Sequence, residues 1–261
     1  MPSLTPHRDE PHTPTAWTTP EREALDTQGF VLLPDVLAPA ECQNLAALAN
    51  AENPATATHP PTRGASSGGT RCLLAQAWCT TLAQRLLRHP VLSSLLPAQA
   101  VAVQCTYFEK TAARNWLVPL HQDLSIPVAA RVSNPGLRGW TDKEGGLFVQ
   151  PPADTLALLV AVRLHLDPCQ ADDGPLRVVP GTHRSGVLAP GHARALRDAQ
   201  GEVFCLASAG TALVMHPLLL HASSKSTGGG RRRVLHFVFG PPVLPGGLRW
   251  AQMASTPEVS T

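Results

Sequence analysis

The chain has 261 residues, of which 43% are apolar and 15% charged, with a formal net charge of +2. That apolar share over this length can bury a sizeable core, which excludes a largely disordered protein. The near-neutral balance excludes a chain that works by an overall field on nucleic acid or acidic membranes.

Residues 1–19, MPSLTPHRDEPHTPTAWTT, are rich in Pro and Thr without apolar periodicity, and read as a flexible tail. Thr19-Pro20-Glu21 is a helix start, with Pro at the first helical position. GFVLLPDVL (29–37) reads as a short strand, and APAECQNLAALANAE as a helix with Leu45, Ala46, Leu48 and Ala49 on one side. ATATHPPTRGASSGGT (55–70) is a loop by composition, and LLAQAWCTTLAQRLLRHPVLSSLL is helical with a break at Pro90.

From about residue 99 the texture changes to short β-type runs separated by Gly and Pro: AVAVQCTYFEK, NWLVPLHQDLSIPV, TLALLVAVRLHLD, PLRVVPG, GTALVMHPLLLHASS and RRVLHFVFG. The expected fold is mainly β with flanking helices, a sandwich or barrel. It spans a single domain over 20–261, helical to about 98 and β-rich over about 99–240. ARVSNPGLRGWTDKEGGLFVQPPADT (130–155) is a long insertion and reads as a lid over a binding site.

Six cysteines are scattered without a CxxC pair. There is no membrane-length apolar stretch and no charged-then-apolar leader, so the expected setting is a reducing cytoplasm with free thiols. Eighteen of the 21 basic residues are Arg, which is read first as composition bias.

One short stretch carries chemistry. In HQD, His121 and Asp123 stand two apart, so on an extended strand both side chains point to one face while Gln122 turns to the other. An imidazole and a carboxylate aimed at one point suit a metal, and a two-histidine, one-carboxylate facial triad needs a second His from a distant strand. The downstream histidines are His165, His183, His192, His216, His221 and His236. His221 closes the apolar run PLLLH, a place where a strand end meets an open site, with His216 as its nearest rival. RRR at 231–233 then opens the last strong strand, where an arginine can grip a carboxylate with both arms. Strand parity sends Arg231 and Arg233 to the face opposite Arg232.

HQD, then GPLRVVPGTHRSG, then LHASSKSTGGGRRRVLHF, in that order, resembles the phytanoyl-CoA dioxygenase family over roughly 99–240. The resemblance implies a double-stranded β-helix (jelly-roll) fold and an Fe(II)- and 2-oxoglutarate-dependent oxygenase that uses O₂. It implies iron ligands His121, Asp123 and His221, which are also the catalytic set. The family's cosubstrate-binding Arg falls eleven residues past His221, on Arg232; from His216 the same step reaches Thr227. KSTGGG departs from the family's usual loop, which keeps Arg231 and Arg233 as alternatives.

Around that core, Ser223 is expected to hydrogen-bond the cosubstrate carboxylate. Arg163, on the polar face of VRLHLD, is expected to touch cosubstrate or substrate, and Tyr107, the only tyrosine, to line the cosubstrate site. Gln122 and Trp140 are expected to face substrate, Trp140 being equally suited to anchoring the insertion. His183 in PGTHR reads as a loop-fixing residue. The implied activity is hydroxylation of a C–H bond of a small-molecule metabolite with release of succinate and CO₂; Asp123 disfavours halogenation, because related halogenases put a small residue there. Two other readings compete: a non-catalytic jelly-roll binding protein, and a cupin-type metalloenzyme that does not use 2-oxoglutarate.

Overall fold

A computed structural model of the chain describes residues 19–52 and 69–256. The expected tail, apart from Thr19, and the expected loop at 55–70, apart from Gly69 and Thr70, lie outside the described residues.

The N-terminal part is helical: α1 (Pro20–Gln28), α2 (Pro39–Ala51), α3 (Ala77–Arg88) and α4 (Pro90–Leu95). Thr19 caps α1 by accepting from the Arg22 N–H at 3.3 Å, Pro20 takes the first helical position, and Gly29 closes the helix at φ 85. Pro90 separates α3 from α4, and the His89 ring between them accepts from the Leu92 N–H at 3.2 Å. The strand expected over 29–37 is shorter, β1 (Phe30–Leu33).

The β body follows as β2 (Val101–Lys110), β3 (Val118–His121), β4 (Ile126–Pro127), β5 (Arg138–Lys143), β6 (Gly146–Gln150), β7 (Val160–His165), β8 (Leu176–Val178), β9 (Val203–Cys205), β10 (Ala212–Met215), β11 (His221–Ser223) and β12 (Arg232–Gly240). Two antiparallel sheets face each other, in the orders β1-β10-β7-β12-β2 and β3-β11-β8-β9. This is the jelly-roll arrangement. Two helices interrupt the β body. α5 (Ala153–Ala157) takes the start of the run expected as one strand, and α6 (Pro190–Gln200) was not anticipated, although Pro190 at its first turn was a usable sign.

The larger sheet has one apolar and one polar face, and period-two alternation assigns each residue. Cys105 and Tyr107 of β2, Val162 and Leu164 of β7, and Leu235, Phe237 and Phe239 of β12 pack against Leu25, Leu45, Leu82, Leu86 and Leu92 of the helices. The alternate residues, Thr106, Phe108, Arg163, Arg232 and His236, face the space between the sheets. The main core therefore lies outside the barrel, under the helices, which frees the inside for polar chemistry.

The insertion at 130–155 folds as a hairpin of β5 and β6 joined by Glu144-Gly145, both at positive φ, with β4 added to form a third sheet. Its Lys143, Phe148 and Gln150 line the central cavity. Among the described residues no helix is long and apolar enough to cross a membrane.

Tyr107 is a correction to the expected site. It belongs to the helix-facing row, is 1% exposed, and its hydroxyl bonds Asn50 Oδ1 at 2.5 Å. Burial pushes the phenol's pKa well up, so it stays protonated as a donor. Tyr107→Phe is expected to cost about 1 kcal/mol of stability through that bond, read by urea unfolding, while leaving 2-oxoglutarate affinity unchanged.

Candidate metal centre

β3 and β11 are antiparallel neighbours, and His121 lies directly opposite His221. Their rings sit 4.1 Å apart between centroids. β3 ends at His121, and the following segment is held by the Asp123 N–H donating to the Pro217 carbonyl at 2.9 Å. Asp123 Oδ1 is 3.7 Å from His121 Nε2, and Oδ2 is 3.7 Å from His221 Nε2. Those separations are too long for hydrogen bonds, yet all three ligand atoms lie within 4.8 Å of one another. The three side chains surround a common point.

The other ring nitrogens decide the tautomers. His121 Nδ1 is 2.8 Å from the Pro119 carbonyl, and His221 Nδ1 is 2.8 Å from the Leu219 carbonyl. A carbonyl only accepts, so each Nδ1 carries a proton, which leaves each Nε2, on the Asp123 side, as the nitrogen available to a metal. Burial would by itself raise the Asp123 carboxyl, but His221, His121 and His236 around it hold it well below the usual carboxylate range. Burial pulls His221 down to about 4, so that ring is neutral at physiological pH. Two neutral nitrogens and one carboxylate on one side, with the cavity on the other, fit an iron(II) ion that keeps open positions.

The cavity beside this cluster is about 510 Å³, within the usual range for a small-molecule site. Ile126, Phe148, Leu156, Leu159 and Val238 supply apolar wall, and Asp123 is the only acid among its lining residues.

Of the three adjacent arginines, Arg232 alone turns inward and is 3% exposed. Arg233 forks onto Asp167 at 2.8 and 2.6 Å, and Arg231 reaches Glu109 at 3.4 Å with its side chain 55% exposed. Arg232 donates to the Gly174 carbonyl through one terminal nitrogen, and its buried Nε has no partner. Ser223 donates to the Gly174 carbonyl at 3.0 Å and accepts from Lys110 Nζ at 2.7 Å. Its proton is thus committed, and a carboxylate at this end meets Arg232 and Lys110 first. This modifies the role expected of Ser223.

Two further expectations are corrected. Gln122 lies at the cavity wall, but both of its amide hydrogens are committed: Nε2 donates to Gly186 and Leu218 carbonyls at 2.8 and 2.7 Å, and Oε1 accepts from the Leu188 N–H at 2.8 Å. It ties the HQD segment to neighbouring loops and has no amide hydrogen left to donate to substrate. Trp140 packs with the cluster of Leu137, Val149, Leu156 and Trp250, beneath Arg131 at 5.3 Å, and is not among the cavity-lining residues. Phe148 occupies the place expected of it. His183 bonds the Asp26 carbonyl at 3.2 Å and stacks on His216 at 4.8 Å, which fixes the PGTHR loop.

Two further residues stand at the centre: His236, one of the six downstream histidines, and Lys110, which the sequence offers only as a companion of Tyr107. His236 brings Nε2 to 3.6 Å from Asp123 Oδ2, and its Nδ1 has no partner. Period two from Arg232 places it on the inward face, a signal present in RRRVLHF. Lys110 is 1% exposed, and burial together with Arg232 and Arg163 pulls it down to about 7 from an ordinary 10.5. Between these values the unfolded chain holds a proton that the folded protein has given up. Stability of the metal-free protein therefore rises with pH from about 7 upward, at most about 1.4 kcal/mol per pH unit for one proton. Urea unfolding between about pH 7 and 8.5, below most thiol titration, is expected to show that slope, and Lys110→Met to flatten it.

A metal-binding triad at the mouth of a jelly-roll cavity, backed by a buried inward arginine, defines a mononuclear non-haem oxygenase-type centre. The family model described as phytanoyl-CoA dioxygenase (PhyH) matches residues 25–234. The chain belongs to the phytanoyl-CoA dioxygenase family, which makes it an oxygenase of the iron(II)- and 2-oxoglutarate-dependent class. No curated protein matches it in sequence. Among solved structures it is similar to EctD from S. alaskensis in its apo form (18% identity, TM-score 0.64, covering 95% of this chain and 88% of that one). It is also similar to HygX from Streptomyces hygroscopicus with nickel and 2-oxoglutarate bound (20%, 0.57, 87% and 87%). A third is the non-heme alpha ketoglutarate dependent epimerase SnoN from nogalamycin biosynthesis (16%, 0.59, 90% and 92%). At these identities the likeness is one of fold.

Proposed function

We propose that this protein hydroxylates a C–H bond of a small-molecule metabolite, with 2-oxoglutarate and O₂ as cosubstrates and succinate and CO₂ as coproducts. The observation that carries this reading is the convergence of His121, Asp123 and His221 on one point at the wall of a cavity that also contains the buried Arg232. Bound iron(II) supplies the oxidising chemistry that breaks the C–H bond.

The chain's own residues supply position and exclusion. His121 and His221 hold the ion through nitrogens whose direction is set by the Pro119 and Leu219 carbonyls. Asp123 adds one negative charge and occupies the position that a halide would need. Arg232 takes the far carboxylate of 2-oxoglutarate and sets its reach to the metal, with Lys110 and Ser223 beside it. Phe148, Leu156, Leu159 and Val238 keep water from the reacting carbon. The hairpin that carries Phe148 serves as the lid. A cytoplasmic setting fits the six cysteines, all unpaired.

Anaerobic addition of Fe(II) and then 2-oxoglutarate to metal-free protein is expected to produce a weak visible charge-transfer band, and admission of O₂ with a metabolite extract to yield succinate and a product heavier by one oxygen atom. Folded, iron-loaded protein without the band would rule out keto-acid chelation. Succinate with no oxygenated product would reject hydroxylation while keeping the oxygenase class.

A further inference from the structure

Arg163 is a buried cation with nothing to neutralise it. It is 7% exposed, its Nε has no partner, and no hydrogen bond or ion pair to it forms among the described residues. Its guanidinium lies 5.4 Å over the Phe108 ring, and it lines the cavity.

The charges around the cavity do not balance without a further anion. The cations on its wall are Arg71, Lys143, Arg163 and Arg232, against Asp123 alone. Arg71 is met by Glu144 at 2.7 Å. The ion's two positive charges and the cosubstrate's two negative ones cancel, and Asp123 offsets one of the three remaining cations. Two positive charges are left. A buried cation without a counter-charge is strongly unfavourable, so the complete complex needs an acid that the described residues do not supply.

The register separates Arg163 from the cosubstrate end. Arg163 pairs with His236, whereas Arg232 pairs with Lys110, four residues earlier on β12. Phe108 and Val234 occupy the row between them. His236 in turn stands 3.6 Å from Asp123, and the Arg163 guanidinium, over the Phe108 ring, reaches into the row between that metal side and Arg232.

We propose, resting on the oxygenase reading above, that the substrate is an acid whose carboxylate or phosphate is held by Arg163 beside the metal centre, with Lys143 on the same cavity wall. Such a contact fixes which end of the substrate enters first, and hence which C–H bond lies next to the iron.

The test uses the full chain loaded with Mn(II) and saturating 2-oxoglutarate, with inorganic phosphate and carboxyl-labelled acetate as probes read by paramagnetic relaxation of their phosphorus and carbon signals. At least one probe is expected to show saturable enhancement, independent of further 2-oxoglutarate. Its affinity is expected to fall about tenfold or more in Arg163→Gln and less in Arg163→Lys, with 2-oxoglutarate affinity within about threefold of wild type in both. No saturable enhancement in the wild type would overturn the proposal. So would enhancement that survives Arg163→Gln, which means direct ligation of the metal, or a matching loss of 2-oxoglutarate affinity, which assigns Arg163 to the cosubstrate. Wild-type protein that takes up Mn(II) but no 2-oxoglutarate overturns the parent reading instead, and is seen before any probe is added.

Discussion

Asp123→Ala is expected to abolish tight iron binding and succinate formation while leaving the fold intact. Asp123 is the sole anionic ligand of the cluster and, among the described residues, the only acid lining the cavity. Without it, two neutral imidazoles face a doubly charged ion with nothing to offset its charge. Partners outside the ligand set are commonly worth 10–100-fold in metal affinity, so loss of a ligand is expected to exceed about 100-fold. The fold survives because the segment is held by other bonds, the Asp123 N–H to Pro217 and the Gln122 amide to Gly186, Leu218 and Leu188. The metal-free variant should melt within a few degrees of the metal-free wild type, roughly a 1 kcal/mol window. Metal content after desalting, with circular dichroism on the same sample, settles the matter. A variant that keeps one iron per chain would remove Asp123 from the ligand set. His221→Ala is expected to behave alike, whereas His236→Ala should retain the metal, since His236 lies outside the group of ligand atoms that converge within 4.8 Å.

Arg232→Ala is expected to weaken 2-oxoglutarate by about 100-fold or more, with iron affinity nearly unchanged. Charge-assisted hydrogen bonds contribute about 1.5–3 kcal/mol each, and a forked pair about twice that. The residue is buried and its Nε has no protein partner, so the loss is not screened by water. Arg232→Lys keeps the charge but not the fork and should fall between. Arg231→Ala and Arg233→Ala are the internal controls. Their side chains engage Glu109 and Asp167 on the opposite face, and they should change 2-oxoglutarate affinity by less than about threefold. Titration calorimetry on metal-loaded, oxygen-free protein reads all four. If Arg233 rather than Arg232 carried the loss, the inward face of β12 would have been assigned wrongly.

Much of this site was legible because strands obey a period of two. RRR puts its middle member on the face opposite its two neighbours, which is local geometry, whereas Asp123 lies past the end of β3 and is aimed by its N–H bond to the Pro217 carbonyl. The same rule separates Tyr107 from Lys110. They are three apart on β2, so one must face the helices and the other the barrel. Which faces which is not a local property. α2 brings Asn50 to the Tyr107 hydroxyl, and that packing turned the strand.

Long-range register decided the rest. His236 and Arg163 stand side by side only because β12 pairs with β7 in one alignment, and no stretch of either strand encodes that offset by itself. Trp140 and Phe148 sit on the two arms of one hairpin, and the pairing of β5 with β6 chose Phe148 for the cavity. The sequence by itself determined the His121–Asp123 pair, the start of the first helix and the order of helices before strands, since each is carried by residues close together in the chain, whereas the register of β11 on β3 brought His221 to that pair. Tertiary structure alone decided which cations share the barrel without a counter-charge, because that depends on strands distant in the chain meeting in one register.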